Sequence, residues 1–254
     1  RAGIAAHALL THLGGDRWHP DGYGKKFSDD GVENLRFGRV LVKVDESKMA
    51  KFLEKDCGNM GQGDGEGLIK YLAKCAESAD IVAYREKINR SVAEDQQENI
   101  KLGSQAAFSD LQTIMRKNSD VLLLIHGYNV SWTDAVGTAL SLQTMLNSSP
   151  ERDSEQQVQV VLFTWPSDGM ALPFVSYKSD RSEASGSGNA IGRGILKVRD
   201  FLASLRRAEE ALCKQDLHLL CHSMGNYLLE NALERCDAFT PGNALPRIFE
   251  HIFL

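Results

Sequence analysis

The second half of the chain alternates short apolar runs with stretches of helical spacing. Apolar runs with the length of buried strands occupy residues 120–125, 157–164, 217–220 and 248–254. Apolar residues at helical spacing separate them, over residues 132–146, 191–212 and 224–233. Short strands joined by helices are typical of a mostly parallel sheet with helices on both faces. The pattern therefore predicts an α/β fold.

The first half is patterned more weakly. Residues 35–44 alternate as a strand would, residues 14–31 have the composition of a loop, and the five glycines of residues 58–67 predict a flexible connection. Helical spacing returns at Leu68, Leu72 and Ala76 and again from Phe108 to Met115, where Ser104 is placed to cap the helix. We expect one domain over residues 1–254, with a strand and loop region at 1–57, a helical connection at 58–118 and the core at 119–254.

Ligands bind at the carboxyl ends of the strands in such sheets. Two loops follow strands there, residues 126–129 and residues 221–226 (CHSMGN), and the second of these places Ser223 between a strand and a helix. A strained strand-turn-helix elbow exposes a serine nucleophile, and it requires small residues two positions before and after the serine. Cys221 and Gly225 meet this requirement, although glycine is more usual at the first position. The alternative is that Ser223 only caps the following helix.

The first loop, His126-Gly127-Tyr128-Asn129, follows the most apolar strand. An elbow serine needs two backbone N–H groups to stabilise the oxyanion, one from the residue after the serine and one from an earlier strand's loop. These considerations select the amides of Met224 and Tyr128, with Gly127 allowing a close backbone approach. A plain turn is the alternative for this loop.

Several other side chains are candidates for the pocket. His222 neighbours Ser223, but adjacent residues on a turn point apart, so local packing is the better interpretation, and His126 is interpreted as structural. Trp165 follows a strand and either lines the pocket or caps the core. The stretch 182–194 is rich in Gly and Ser, lacks a phosphate-binding lysine, and predicts a mobile cover over the site.

Composition narrows the classes of function. The net charge of −5 and the lack of a long basic run argue against a nucleic-acid partner, and no apolar run is long enough to span a membrane. Five scattered cysteines predict neither a disulfide framework nor a zinc site and point to the cytoplasm. We expect no metal and no cofactor. The first residues lack a secretory signal, and the chain reads as a piece of a longer protein with further domains.

The second half resembles the α/β-hydrolase family known as domain of unknown function 900, a group of esterase-like bacterial proteins. The matching segments are residues 123–129 (LLIHGYN), 161–169 (VLFTWPSDG), 177–180 (YKSD) and 219–226 (LLCHSMGN), and the resemblance covers roughly residues 120–254. It implies serine esterase or lipase-like hydrolysis of a small ester or acyl compound. It also implies that Tyr177 and Asp180 shape the site, whereas Asp180 alone could be a helix-start carboxylate.

The resemblance places the catalytic acid and histidine after the strand that ends this chain, so we expect both beyond Leu254 and the fold to be truncated. Three interpretations stay open. The complete protein is a serine hydrolase, or it uses a non-catalytic α/β-hydrolase scaffold for interaction or sensing, or another chain supplies the missing groups.

Overall fold

The structure is a computed structural model that describes residues 3–11, 35–58, 61–84, 103–117, 119–148, 157–167, 173–207, 215–237, 240 and 247–254. The strands are β1 (Gly3–Thr11), β2 (Leu35–Lys43), β3 (Asp80–Ala83), β4 (Ser119–Ile125), β5 (Gln157–Thr164), β6 (Leu217–Cys221) and β7 (His251–Phe253). The helices are α1 (Glu46–Leu53), α2 (Gly65–Ala76), α3 (Gly103–Met115), α4 (Trp132–Asn147), α5 (Pro173–Arg207) and α6 (Met224–Asp237).

The strands form one mixed sheet in the order β3-β2-β1-β5-β4-β6-β7. The run from β1 to β7 is parallel, whereas β2 is antiparallel to both of its neighbours. From the central strand β4 the chain moves to β5 on one side and then crosses to β6 on the other. This reversal opens a crevice beyond the carboxyl ends of β4 and β6.

Alternation along the strands builds a core on each face of the sheet, because successive side chains point to opposite faces. Leu122, Leu124, Val160 and Leu162 pack with α2 and α4 in one cluster. The side chains at the intervening positions point to the other face and pack against α3, α5 and α6 in two further apolar clusters. Ile125, Phe163, Leu219 and Cys221 belong to these clusters. The predicted α/β fold with helices on both faces is confirmed.

Most predicted elements of the second half appear with nearly the expected bounds. The strand predicted at 157–164 coincides with β5, and those predicted at 120–125 and 217–220 correspond to β4 and β6. The last strand is shorter than expected, since β7 covers only His251–Phe253. Strands β1 and β3 and helix α1 were not predicted.

The glycine-rich connection at 58–67 needs correction at its end. Asp64 accepts a hydrogen bond from the Gly67 amide at 2.8 Å, and this N-cap starts α2 at Gly65. Ser104 lies one residue inside α3, which begins at Gly103. The loop predicted at 14–31 lies outside the described residues, and the division of the domain at residues 57 and 118 stays a prediction.

The prediction of a mobile cover at 182–194 was wrong, because this stretch lies inside the 35-residue helix α5. Its small residues let α5 lie against α6. A Cβ on Gly188 would stand 2.7 Å from Asn231 Cβ, and one on Gly192 would stand 3.2 Å from Ala232 O. Ser185 Oγ also donates to Asn231 Oδ1 at 2.8 Å. Glycine and serine here serve helix packing and not flexibility.

The helices α5 and α6 run parallel, with contacts whose residue numbers rise together. Arg181 lies over Tyr227, Ser185 bonds Asn231, and the Cys236 thiol lies 3.6 Å from Gly192 O. Among the helices in the described ranges, α5 included, none carries an apolar stretch long enough to cross a bilayer.

Substitution of Gly188 by Ala tests the close packing of the two helices. We expect Gly188→Ala to lower the free energy of unfolding by about 1–3 kcal/mol, because the added methyl forces α5 and α6 apart. Gly194→Ala in the same helix is the matched control, since its Cβ would meet only Leu35 Cδ2 at 3.4 Å. That change should be neutral or should stabilise by up to about 1 kcal/mol through helix propensity. Urea unfolding followed by circular dichroism measures both, and equal effects would contradict the packing role.

Candidate active site

Ser223 stands at a sharp turn between β6 and α6. Its φ of +54° lies in the left-handed region, which a residue with a Cβ adopts only under constraint from its surroundings. The turn is held by the hydrogen bond from the His222 amide to Ile125 O, at 3.0 Å, and by the bond from the Gly225 amide to His222 O, at 2.9 Å. The side chain of Ser223 is exposed. This is the strand-turn-helix geometry that the sequence predicts.

The two loops at the crevice touch at their glycines. A Cβ on Gly127 would stand 2.9 Å from His222 O and 2.9 Å from Ser223 Cβ. A Cβ on Gly225 would stand 2.8 Å from Ile125 O and 3.0 Å from His126 O. No real Cβ tolerates contacts this short with backbone, so each position requires glycine for a loop to reach its neighbour.

Two backbone amides are candidates to bind an oxyanion. The amides of Gly225 and Asn226 are already bonded to His222 O and Ser223 O, at 2.9 and 3.0 Å. The Met224 amide has no backbone hydrogen bond within the described part of the chain and lies at the N-terminus of α6, where helix amides are unsatisfied. Tyr128 follows Gly127 in the loop that touches Ser223 and packs against the apolar cluster beneath α6.

His126 and Trp165 join the loops that follow β4 and β5. Nε2 of His126 accepts the Trp165 amide at 3.2 Å, and the Trp165 indole N–H donates to His126 O at 2.9 Å. The two rings stack with centroids 5.3 Å apart. Because Nε2 is an acceptor, the proton is on Nδ1, which donates to Gly127 O at 3.0 Å. His126 thus fixes the carbonyl of the glycine that touches Ser223.

Burial separates these two residues from the pocket. His126 is 3% exposed and Trp165 is fully buried. The burial agrees with the structural interpretation of His126 and with Trp165 as a cap on the core. Neither is placed to take a proton from Ser223.

Three further residues that connect the loops after β4 and β5 received no role from the sequence. Thr164 Oγ1 lies 3.1 Å from His126 Nε2, and the Val130 amide donates to Ser167 Oγ at 3.2 Å. Asn129 has a φ of +56°, which turns the chain from the Gly127 loop towards α4. All three residues lie in segments 123–129 and 161–169, which carry the family resemblance. The spacing of residues along the chain could not predict that these two segments are in contact.

Cys221 differs from the glycine that is usual two residues before an elbow serine. Its side chain is 2% exposed, and burial raises the pKa of the thiol to about 12. The thiol therefore stays protonated near neutral pH, so Cys221 is not a candidate nucleophile.

Tyr177 and Asp180 lie in the N-terminal part of α5, which runs parallel to α6. Arg181 lies level with Tyr227, its guanidinium 4.8 Å from the ring centroid, and lowers the pKa of the Tyr227 hydroxyl. Tyr177 precedes Arg181 by one turn, as Ser223 precedes Tyr227, so the backbone of Tyr177 is level with the serine. Asp180 is the eighth residue of α5, and the alternative that it is a helix-start carboxylate was wrong.

Activation of a serine as a nucleophile requires a base within hydrogen-bond reach of its hydroxyl. Among the described side chains, including that of the exposed His222, none forms a hydrogen bond with the Ser223 hydroxyl. The described part of the chain also contains no group of three His, Cys, Asp or Glu residues arranged to hold a metal ion.

A pair of tryptophan substitutions tests the contact between His126 and Trp165. We expect Trp165→Phe to lower the free energy of unfolding by about 1–3 kcal/mol more than Trp132→Phe does, because it leaves His126 O buried without its donor. Trp132 is a matched control, since it is 3% exposed and its Nε1 has no partner among the described residues. Chemical unfolding of both variants gives the difference, and equal losses would show that the indole bond is not needed.

The comparison with protein families agrees with this geometry. The family model described as α/β hydrolase of unknown function (DUF900) matches residues 104–253, which is more than half of the chain. Comparison with curated proteins and with solved structures finds no significant match. With its elbow, its touching loops and this match, the chain belongs to the α/β-hydrolase family DUF900.

Proposed function

We propose that the protein is a serine hydrolase that cleaves a small ester or a related acyl compound, with Ser223 as its nucleophile. The observation that carries the proposal is the strained, exposed Ser223 at φ +54°, beside an amide with no backbone bond among the described residues. Strain of this kind persists only where the surroundings enforce it, and it is concentrated at functional sites.

The proposed reaction passes through an acyl-enzyme. Ser223 Oγ attacks the substrate carbonyl as a base removes its proton, and the carbonyl oxygen becomes negative. The amides of Met224 and Tyr128 donate to that oxygen. The alcohol then leaves with the proton from the base, and water hydrolyses the acyl-serine by the same steps in reverse order. We expect the base to come from beyond Leu254, as the family resemblance implies.

The other site residues have supporting roles in this proposal. His126 and Trp165 hold the Gly127 loop so that the Tyr128 amide faces the serine. Tyr177, whose backbone is level with Ser223, and Asp180 in the same helix contribute to the pocket, and the exposed His222 lies at its edge. The cytoplasmic location stays a prediction. Cys57, Cys75, Cys221 and Cys236 are free thiols, as the scattered cysteines led us to expect.

A second candidate is a non-catalytic scaffold that keeps the elbow as architecture and serves interaction or sensing. The observation that favours it is the lack of a hydrogen bond from Ser223 Oγ to any described side chain. The two candidates differ in whether Ser223 reacts in the complete protein.

Labelling with a fluorophosphonate probe tests the proposal, because the probe phosphonylates only an activated serine. We expect the complete protein to be labelled, Ser223→Ala to lose the label, and Ser204→Ala to keep it. Ser204 is the control because it is an exposed serine on α5, remote in sequence from the elbow.

Two results would contradict the hydrolase. Labelling of Ser223→Ala at the level of the unmodified protein would place the reactive serine elsewhere. No labelling of the complete, folded protein would favour the scaffold.

A further inference from the structure

A cavity of about 300 Å³ lies between the sheet and the helices α3 and α5. Its floor is formed by strand side chains of β4 and β5, and its walls by apolar residues of the two helices. Among the lining residues are Val121, Leu123, Val161, Ile195, Val198 and Leu202. An apolar cavity of roughly 150 Å³ is enough to hold benzene, so this one fits an apolar body of about ten carbons.

The cavity opens at the end of the sheet opposite to Ser223. The exposed residues of its lining, Asp216, Arg247 and Glu250, cluster around Leu217, the first residue of β6. Ser223 follows β6 at its other end, six residues beyond Leu217 and at most roughly 20 Å away at 3.3 Å per strand residue. The opening of the cavity therefore lies at the end of the sheet opposite to Ser223.

The charges at the opening disfavour an anionic head group. Asp216 and Glu250 carry two negative charges, and the Arg247 guanidinium already lies 3.3 Å from the Glu250 carboxylate. A carboxylate placed beside these three described residues would meet a net negative charge, and like charges repel.

One wall residue offers a hydrogen-bond donor. Gln112 of α3 lines the cavity, and its Nε2 is buried with no hydrogen-bond partner among the described residues. An unsatisfied buried amide costs free energy, so a rotation that brings it to an uncharged oxygen of a ligand gives up no existing bond.

We infer that this cavity binds a neutral amphiphile, with an apolar body of about ten carbons and one uncharged oxygen group. The apolar walls bury the body, Gln112 donates to the oxygen, and the acidic opening excludes fatty acids of the same length. This site does not depend on the reactivity of Ser223.

Calorimetric titration of the complete protein with decan-1-ol and with decanoate tests the inference. We expect decan-1-ol to bind at one site with a Kd at least ten times lower than that of decanoate. Neutralising the opening with Asp216→Asn and Glu250→Gln together should narrow this ratio several-fold. Ser223→Ala should bind decan-1-ol as the unmodified protein does.

Filling the cavity locates the site. Ile195→Phe and Val198→Phe should each weaken decan-1-ol binding about tenfold or more. Leu142→Phe is the control, since Leu142 is a half-buried residue of α4 on the opposite face of the sheet. Where a filled variant fails to fold, nuclear Overhauser effects between decan-1-ol and the methyl groups of Ile195 and Val198 in the unmodified protein replace it.

Four results would overturn the inference. They are no binding of decan-1-ol, tighter binding of decanoate, an equal loss in Leu142→Phe, and contacts of the bound alcohol with methyl groups outside the cavity.

Discussion

The contact between the loops that follow β4 and β6 is the constraint on which the site depends. These strands are neighbours in the sheet, so the loops leave it side by side, and the His222 amide still bonds Ile125 O beyond the end of β6. The chain can then turn sharply only if the residue of each loop that faces the other loop or its strand end lacks a Cβ. Gly127 and Gly225 meet that requirement, with a missing Cβ at each that would lie 2.9 Å or less from the other loop.

This contact also explains the layers around it. The first loop is fixed from behind by His126 and Trp165, which tie it to the end of β5. The second loop leads directly into α6, and α6 is held by the small residues of α5. The position of Ser223 is thus set by packing on two sides, which is how a strained backbone angle is maintained in a folded chain.

The sequence was sufficient to predict the central elements because their signals are local. The apolar run before His126, the strand before Trp165 and the elbow around Ser223 each carry their own pattern, and the fold follows from their order. The family resemblance read from the same segments was confirmed by the match over residues 104–253.

The rest could not be predicted because it depends on partners distant in the chain. By composition alone, glycine and serine in residues 182–194 indicate flexibility. In the structure these residues are helical because they pack against α6, so tertiary contacts override helix propensity. Strand β3 is only four residues long, and pairing with β2 defines it. The hydrogen bond between His126 and Trp165 joins residues 39 positions apart, and no spacing pattern in the sequence predicts it.

The central claim is that the glycine contact between the two loops makes Ser223 reactive. The most direct measurement is the rate of fluorophosphonate labelling of Gly127→Ala in the complete protein, with Gly194→Ala as the control for a harmless methyl. The account predicts that Gly127→Ala keeps the helix content of the unmodified protein. Its labelling rate should fall at least about tenfold, because the added methyl displaces the Tyr128 amide. Labelling of a folded Gly127→Ala at the unmodified rate would contradict it.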